Sequence, residues 1–206
     1  VTWRCARRSG GRAFLTRFRQ NPDETADRIG QPEAETQKGT GEMERTEMTD
    51  AAQAGPKKMA VVSDLAGYGR CALTLAIPVL SALGVQCCPV PTAILSNHAG
   101  YPSCYLDDYT DRMEPYIAQW KKLSFSVDGI MTGFLGSARQ AGIVTDFIRS
   151  FQKPGSLLLV DPAMGDHGRL YRVCDSSLCD AMRELVQHAD LITPNLTEAC
   201  ALTQTP

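Results

Sequence analysis

Asp161 and Asp166 stand five residues apart in DPAMGDHG (161–168), on either side of a Pro-x-x-Gly bend, so both carboxylates can point into one cleft. Carboxylates so placed suit Mg²⁺ beside substrate phosphates, because that ion takes one or two carboxylates and keeps several waters. A helix cap accounts for either acid alone, less easily for the two together. In TPNLTEA (193–199), Asn195 and Glu198 have the spacing of a capping box at a helix start, a role compatible with ligand binding. SNHAGY (96–101) sets His98 in a polar cluster directly after an apolar run, where it either orients its loop or meets a ligand. DLAGYGR (64–70) supplies two glycines that permit tight turns and close backbone approach. It lacks the third glycine of the dinucleotide fingerprint, which argues against a nicotinamide cofactor.

Short apolar runs alternating with amphipathic stretches position these residues. MAVVS (59–63) predicts a buried strand and 64–70 a glycine loop, followed by a helix over 71–83 stopped at Gly84. VQCCPVPTAILS (85–96) predicts one broken or two short strands, interrupted by Pro89 and Pro91. A helix over 107–123 has acid at its start and lysine at its end, as the macrodipole favours. Strands follow at 129–134, 157–161 and 190–194, with helices over 137–152, 176–188 and from Leu196. This alternation predicts an α/β fold, a doubly wound, mostly parallel sheet with helices on both faces. Ligands of such sheets sit beyond the carboxyl ends of the strands. Asp64, Asn97–His98, Phe134, Asp161–Asp166 and Thr193–Glu198 all fall at those ends, which predicts one shared rim.

Composition narrows the classes. The 206 residues carry 21 Lys and Arg against 23 Asp and Glu, a net charge of −2 that excludes a strongly basic nucleic-acid binder. No run approaches the ~18 apolar residues of a membrane span. Eight cysteines are too few for a disulfide scaffold and show no zinc-ribbon spacing, so reduced, buried thiols and a cytoplasmic setting are expected. The charge is uneven: residues 1–58 hold 11 of the basic and 9 of the acidic residues. Residues 1–20 have six Arg and no acid, which fits a transit peptide or an upstream extension outside the native domain; Met48 and Met59 are both possible starts. A segment so poor in periodic apolar positions is expected to be disordered and to make no core. Residues 59–206 are expected to form the domain.

SDLAGYGRCALT, PTAILSNHAGYPS, DGIMTGFLGS, LLLVDPAMGDHG and ADLITPNLTEA occur in the order and spacing of the pyridoxal kinases of the ribokinase superfamily. Over 59–206 the chain resembles their bacterial pyridoxamine/pyridoxal kinase branch. The resemblance implies ATP-dependent phosphorylation of the 5′-hydroxymethyl group of pyridoxal, pyridoxamine or pyridoxine. It implies Ser63, Asp64, His98, Gly100, Tyr101 and Phe134 as substrate contacts, with Phe134 covering the ring. Ala99 stands where the family commonly has a threonine, which leaves vitamer preference open. Asp166, Thr193, Asn195 and Glu198 match the nucleotide positions, and Asp161, Asp166 and Glu198 the metal positions. Asp161 with Thr193 matches the region that holds a monovalent cation, K⁺ among the candidates. The resemblance further implies a homodimer, which an exposed apolar cluster at 85–95 would fit. It places the glycine-rich anion loop and the catalytic Asp beyond Pro206, leaving no catalytic residue in this chain, an unpaired last strand, and no turnover by these residues alone. Hydroxymethylpyrimidine kinase, with the same fold and chemistry, and a non-catalytic vitamer-binding protein are the alternatives.

Overall fold

The computed structural model describes residues 55–205 throughout and, before them, the strands β1 (Trp3–Arg7) and β2 (Ala13–Arg17). Contacts divide the chain into two units, residues 1–18 with 57–206, and residues 19–56. The rest of the segment expected to be disordered lies outside the described residues.

The sheet of the larger unit is built from β3 (Lys58–Tyr68), β4 (Gln86–Asn97), β5 (Leu106–Asp108), β6 (Gly129–Thr132), β7 (Leu157–Val160) and β10 (Leu191–Ile192). With β1 and β2 it has eight strands in the order β2-β1-β10-β7-β6-β3-β4-β5. The centre, from β10 to β4, is parallel, and the flanking strands are antiparallel. Two short strands, β8 (Gly165–Asp166) and β9 (Arg169–Leu170), form a separate hairpin. The last parallel strand was expected to have an open edge; Cys5 and Ala6 of β1 instead lie opposite Ile192 and Leu191.

Helices α1 (Ala72–Ala82), α2 (Thr110–Lys122), α3 (Ala138–Phe151), α4 (Ser176–Gln187) and α5 (Leu196–Thr203) complete the fold. Because side chains alternate along a strand, Ala60 and Val62 face one way, into a core with Met113 and Ile117 of α2, Val144 and Phe147 of α3, and Leu178 and Met182 of α4. That core holds most of the buried apolar surface and fixes the strand ends in space. Helix α1 packs against β3 and β4, burying Leu73. Gly84, with φ +72°, turns the chain after it.

Three expectations need correction. The glycine stretch 64–70 is not a loop: β3 runs on to Tyr68, pairing with Asn97. Gly67 permits this, because a Cβ there would lie 3.0 Å from the Ser96 carbonyl oxygen. β4 is likewise one unbroken strand. Its antiparallel partner β5 covers only Ala93–Leu95, so Pro89 and Pro91 sit where the outer edge has no ladder donor to lose. The helix expected from residue 107 starts at Thr110, because Asp107 and Asp108 pair with β4 as part of β5.

Candidate active site

The register of β3 against β4 shifts opposite Asp64: Ser63 pairs with Pro91 but Leu65 with Ile94, so β4 carries one extra residue at Thr92–Ala93. Bulges of this kind bend a strand and re-aim side chains next to active sites. Asp64 is buried, and burial pushes its carboxyl above the ordinary range, opposed by hydrogen bonds from its own backbone and Ser63 and by His98. The Ser63 hydroxyl donates to Asp64 Oδ1 at 3.3 Å. Gly133 follows β6 and leaves room for this arrangement, since a Cβ there would sit 2.5 Å from Ser63 Oγ. Gly133→Ala is therefore expected to cost about 1–3 kcal/mol through overpacking, measurable as a lower melting temperature.

His98 is exposed and serves its loop. Its Nδ1 accepts from the Gly100 amide at 3.1 Å, and its own amide donates to the Tyr68 carbonyl at 2.8 Å. The Tyr101 ring lies 5.5 Å from that of Tyr68, inclined at 49°. Phe134 is half-buried and packs with Cys71 and Cys104 against the small cluster Ala66, Ala93 and Leu95. Asp64 was expected to follow the first strand, but Ser63 and Asp64 lie within β3 at the bulge, because pairing with β4 continues to Tyr68. His98–Tyr101 follow β4, and Phe134 follows β6 with Gly133 between them.

On the other side, Asp161 follows β7 and accepts from the Thr193 hydroxyl at 3.1 Å; burial raises its carboxyl and that bond lowers it. Asn195 caps α5 in a complete capping box with Glu198. The Asn195 side-chain amide also donates to the Gly165 carbonyl at 2.8 Å, tying α5 to the β8–β9 hairpin. Glu198 is only 4% exposed. Its Oε2 accepts from the Asn195 amide at 2.8 Å and its Oε1 from the Met164 amide at 3.3 Å. Burial pushes the Glu198 carboxyl up to about 7, with Asp161 adding to the rise and backbone N–H groups of Asn195, Met164 and Gly165 opposing it. Glu198 was expected to act in metal and nucleotide binding rather than folding. The structure gives it folding work, because it accepts from the backbone amides of Asn195 at the start of α5 and of Met164 before β8.

Asp166 does not point into a cleft across a Pro-x-x-Gly bend. It opens the two-residue turn of the β8–β9 hairpin, where His167 and Gly168 have φ of +51° and +76°, the positive values that such tight hairpin turns require. Its carboxylate is exposed, accepts from the His167 amide at 2.7 Å and faces His167 Nε2 at 3.5 Å. Asp161, Asp166 and Glu198 do not close into a three-ligand shell: among the described residues no three His, Cys, Asp or Glu side chains converge as a metal centre.

Tyr171, just after β9, was not singled out from the sequence. Burial raises its phenol, and Glu198, Asp166, Asp161 and Asp64 all raise it further in that order. Tyr171 thus lies within electrostatic reach of all four carboxylates. A Tyr five residues past the second acid of the motif carried no sequence signal beyond that distance. Thr132, at the end of β6 between Val62 and Val160, holds the one buried side-chain polar atom without a partner among the described residues.

The family model of the phosphomethylpyrimidine kinases matches residues 77–206. A Bacteroides thetaiotaomicron protein assigned to those kinases and crystallised with pyridoxal is 52% identical, with a TM-score of 0.71 over 73% of this chain and 53% of that one. The pyridoxal kinase of Leishmania donovani in complex with ADP and pyridoxamine is 27% identical, with a TM-score of 0.64 over 71% of this chain and 54% of that one. A pyridoxine/pyridoxal/pyridoxamine kinase of Bordetella avium is 36% identical over 66% of this chain and 48% of its own length. The chain thus spans about half the length of the relatives it matches. The doubly wound sheet with helices on both faces is the fold of these structures, and the chain belongs to the phosphomethylpyrimidine kinase family, within the ribokinase superfamily that also holds the pyridoxal kinases.

Proposed function

We propose that the full-length protein carrying this sequence transfers the γ-phosphoryl group of ATP to the 5′-hydroxymethyl oxygen of a B6 vitamer (pyridoxal, pyridoxamine or pyridoxine), giving the 5′-phosphate and ADP. The observation that carries this is the 52% identity, over 73% of this chain, to a structure crystallised with pyridoxal. Phosphoryl transfer depends on positioning and on neutralising charge, and the two halves of the rim divide that work. Ser63, Asp64, the His98–Tyr101 loop and Phe134 hold the pyridine ring. Asp166, Thr193, Asn195 and Glu198 face the nucleotide.

The donor set fits a hydrated divalent ion better than a protein cage. Asp166 offers an exposed carboxylate, while both Glu198 oxygens are already engaged by backbone amides. Mg²⁺ held by Asp166 on the Glu198 side of the rim would neutralise the phosphate oxygens. Asp161 and Thr193 supply the oxygen donors a K⁺ ion takes. The seven cysteines from Cys71 to Cys200 are free, as in a cytoplasmic protein, and no described helix is long and apolar enough to cross a membrane.

A homodimer belongs to the same proposal. The apolar cluster expected to be exposed at 85–95 is mostly covered within β4; on and just after α1, by contrast, Leu75, Ile77, Val79 and Leu83 are all exposed, a run of four among exposed apolar residues that occur elsewhere as well.

A coupled assay comparing the three vitamers with hydroxymethylpyrimidine tests the reading. The expected result is a higher kcat/KM for at least one vitamer than for the pyrimidine. A higher value for the pyrimidine would overturn the substrate, and tight vitamer binding without turnover would overturn the reaction.

A further inference from the structure

Gln140 lies in the first turn of α3 and is completely buried. A buried amide is tolerated only when its donors and acceptor are paired, and this one is paired across four parts of the fold. Its Oε1 accepts from the Gly136 amide at 2.7 Å. Its Nε2 donates to the Thr92 carbonyl at 2.8 Å and to the Thr110 hydroxyl at 2.8 Å, with Asp108 Oδ1 at 3.1 Å beside them. The Thr110 hydroxyl can accept because it donates its own proton to Asp108.

Thr92 is where β4 carries its extra residue, and the bulge turns its carbonyl out of the ladder toward Gln140 and the Tyr109 amide. The Thr92 hydroxyl then donates to the Phe134 carbonyl at 2.8 Å. At the other end of the same short loop, the Gly133 amide donates to the Val62 carbonyl at 2.8 Å. Residues 133–136 are thus held at three points: Val62 in the middle of β3, the β4 bulge and the Gln140 side chain. Phe134 sits among them, and its ring has no polar anchor of its own.

We propose that Gln140 is a positioning residue for substrate: without touching the ligand, it fixes the 133–136 loop through Gly136 and Thr92 and so sets where the Phe134 ring stands over the bound pyridine. The inference rests on the vitamin-kinase reading of the rim. A small displacement of that aromatic wall loosens one side of the pocket and leaves the nucleotide side alone, because Gln140 has no bond to Asp161, Asp166, Asn195 or Glu198.

A double-mutant cycle tests it. Equilibrium binding of pyridoxal and of Mg–ADP is measured for the full-length wild type, Gln140→Leu, Phe134→Ala and the double variant. Thr92→Val serves as a second perturbation that removes only the hydroxyl on the Phe134 carbonyl. The expected result is pyridoxal binding weakened about tenfold in Gln140→Leu and several-fold in Thr92→Val. Mg–ADP binding should stay within twofold, and Phe134→Ala should cost markedly less in the Gln140→Leu background than alone. Amide exchange at Gly136 should speed up in Gln140→Leu. Additive losses from Gln140 and Phe134, or equal weakening of pyridoxal and Mg–ADP, would overturn the positioning role while leaving the functional reading standing. A wild type that binds no pyridoxal would overturn the functional reading and this inference with it.

Discussion

In the full-length protein, Asp166→Asn is expected to lower kcat with any B6 vitamer about 100-fold, while the melting temperature moves by less than about 2 °C. The two halves of this expectation have separate causes. Asp166 sits in an exposed hairpin turn, and the bond that shapes the turn is the His167 amide donating to its Oδ1. Asparagine keeps an oxygen there, so the β8–β9 hairpin keeps its form. Asparagine lacks the negative charge, which is what a metal-bound nucleotide would meet here under the proposed function. The check is a Mg²⁺ titration of the rate beside a thermal melt. A Mg²⁺ dependence identical to wild type would remove Asp166 from the metal site, and a large fall in melting temperature would mean the hairpin needs the carboxylate itself.

The contrast between Asp166 and Glu198 shows what the sequence could and could not convey. Strands β3, β4, β6, β7 and β10 were legible because each holds a short apolar run bounded by breakers, and their parallel order follows from the helices between them. The short antiparallel strands β5, β8 and β9, with no apolar run of their own, were not. The placement of Asn97–His98, Phe134, Asp161 and Thr193 at or just past the ends of β4, β6, β7 and β10 was legible for the same reason as those five strands, whereas Asp64 inside β3 and Asp166 on the β8–β9 hairpin were not placed by it. The depth of each side chain was not legible. Two acids of the same motif class end up in opposite states, one exposed on a hairpin turn and one buried against backbone amides, because the partners of Glu198 come from residues 34 and 3 positions away. Gly67 and Gly69 looked like a loop because glycine marks loops and close approaches alike; only the partner strand β4 decides between them. Gln140 was invisible for a related reason. A lone glutamine in a helix gives no periodic signal, and its four partners are gathered from β4, β5, α2 and the 133–136 loop only after folding.

Glu198→Ala is expected to destabilise the fold by about 3 kcal/mol, a fall in melting temperature of roughly 6–12 °C. The truncation leaves the buried Met164 amide and the half-buried Asn195 amide without their acceptor, and it dismantles half of the capping box that starts α5. The carboxylate also carries a pH signature. Its pKa is about 7 in the folded chain against an ordinary 4.5, so the folded state holds the proton more tightly than the unfolded one. The stability contributed by this group is therefore fully present below about pH 4.5 and is lost as the pH rises through 7, the reverse of an ion-paired carboxylate. Asp64 and Asp161, raised by the same burial, slope the same way. Glu198→Gln separates the two contributions. It keeps one oxygen for the Asn195 amide and loses the Met164 bond, so it should melt lower than wild type at pH 5. It cannot ionise, so the gap should narrow by pH 8, as wild type alone bears a buried negative charge beside Asp161. Melting curves of both proteins across that range are the measurement. A gap that widens with pH would mean that Glu198 is already ionised at pH 5, and that the backbone amides around it outweigh its burial.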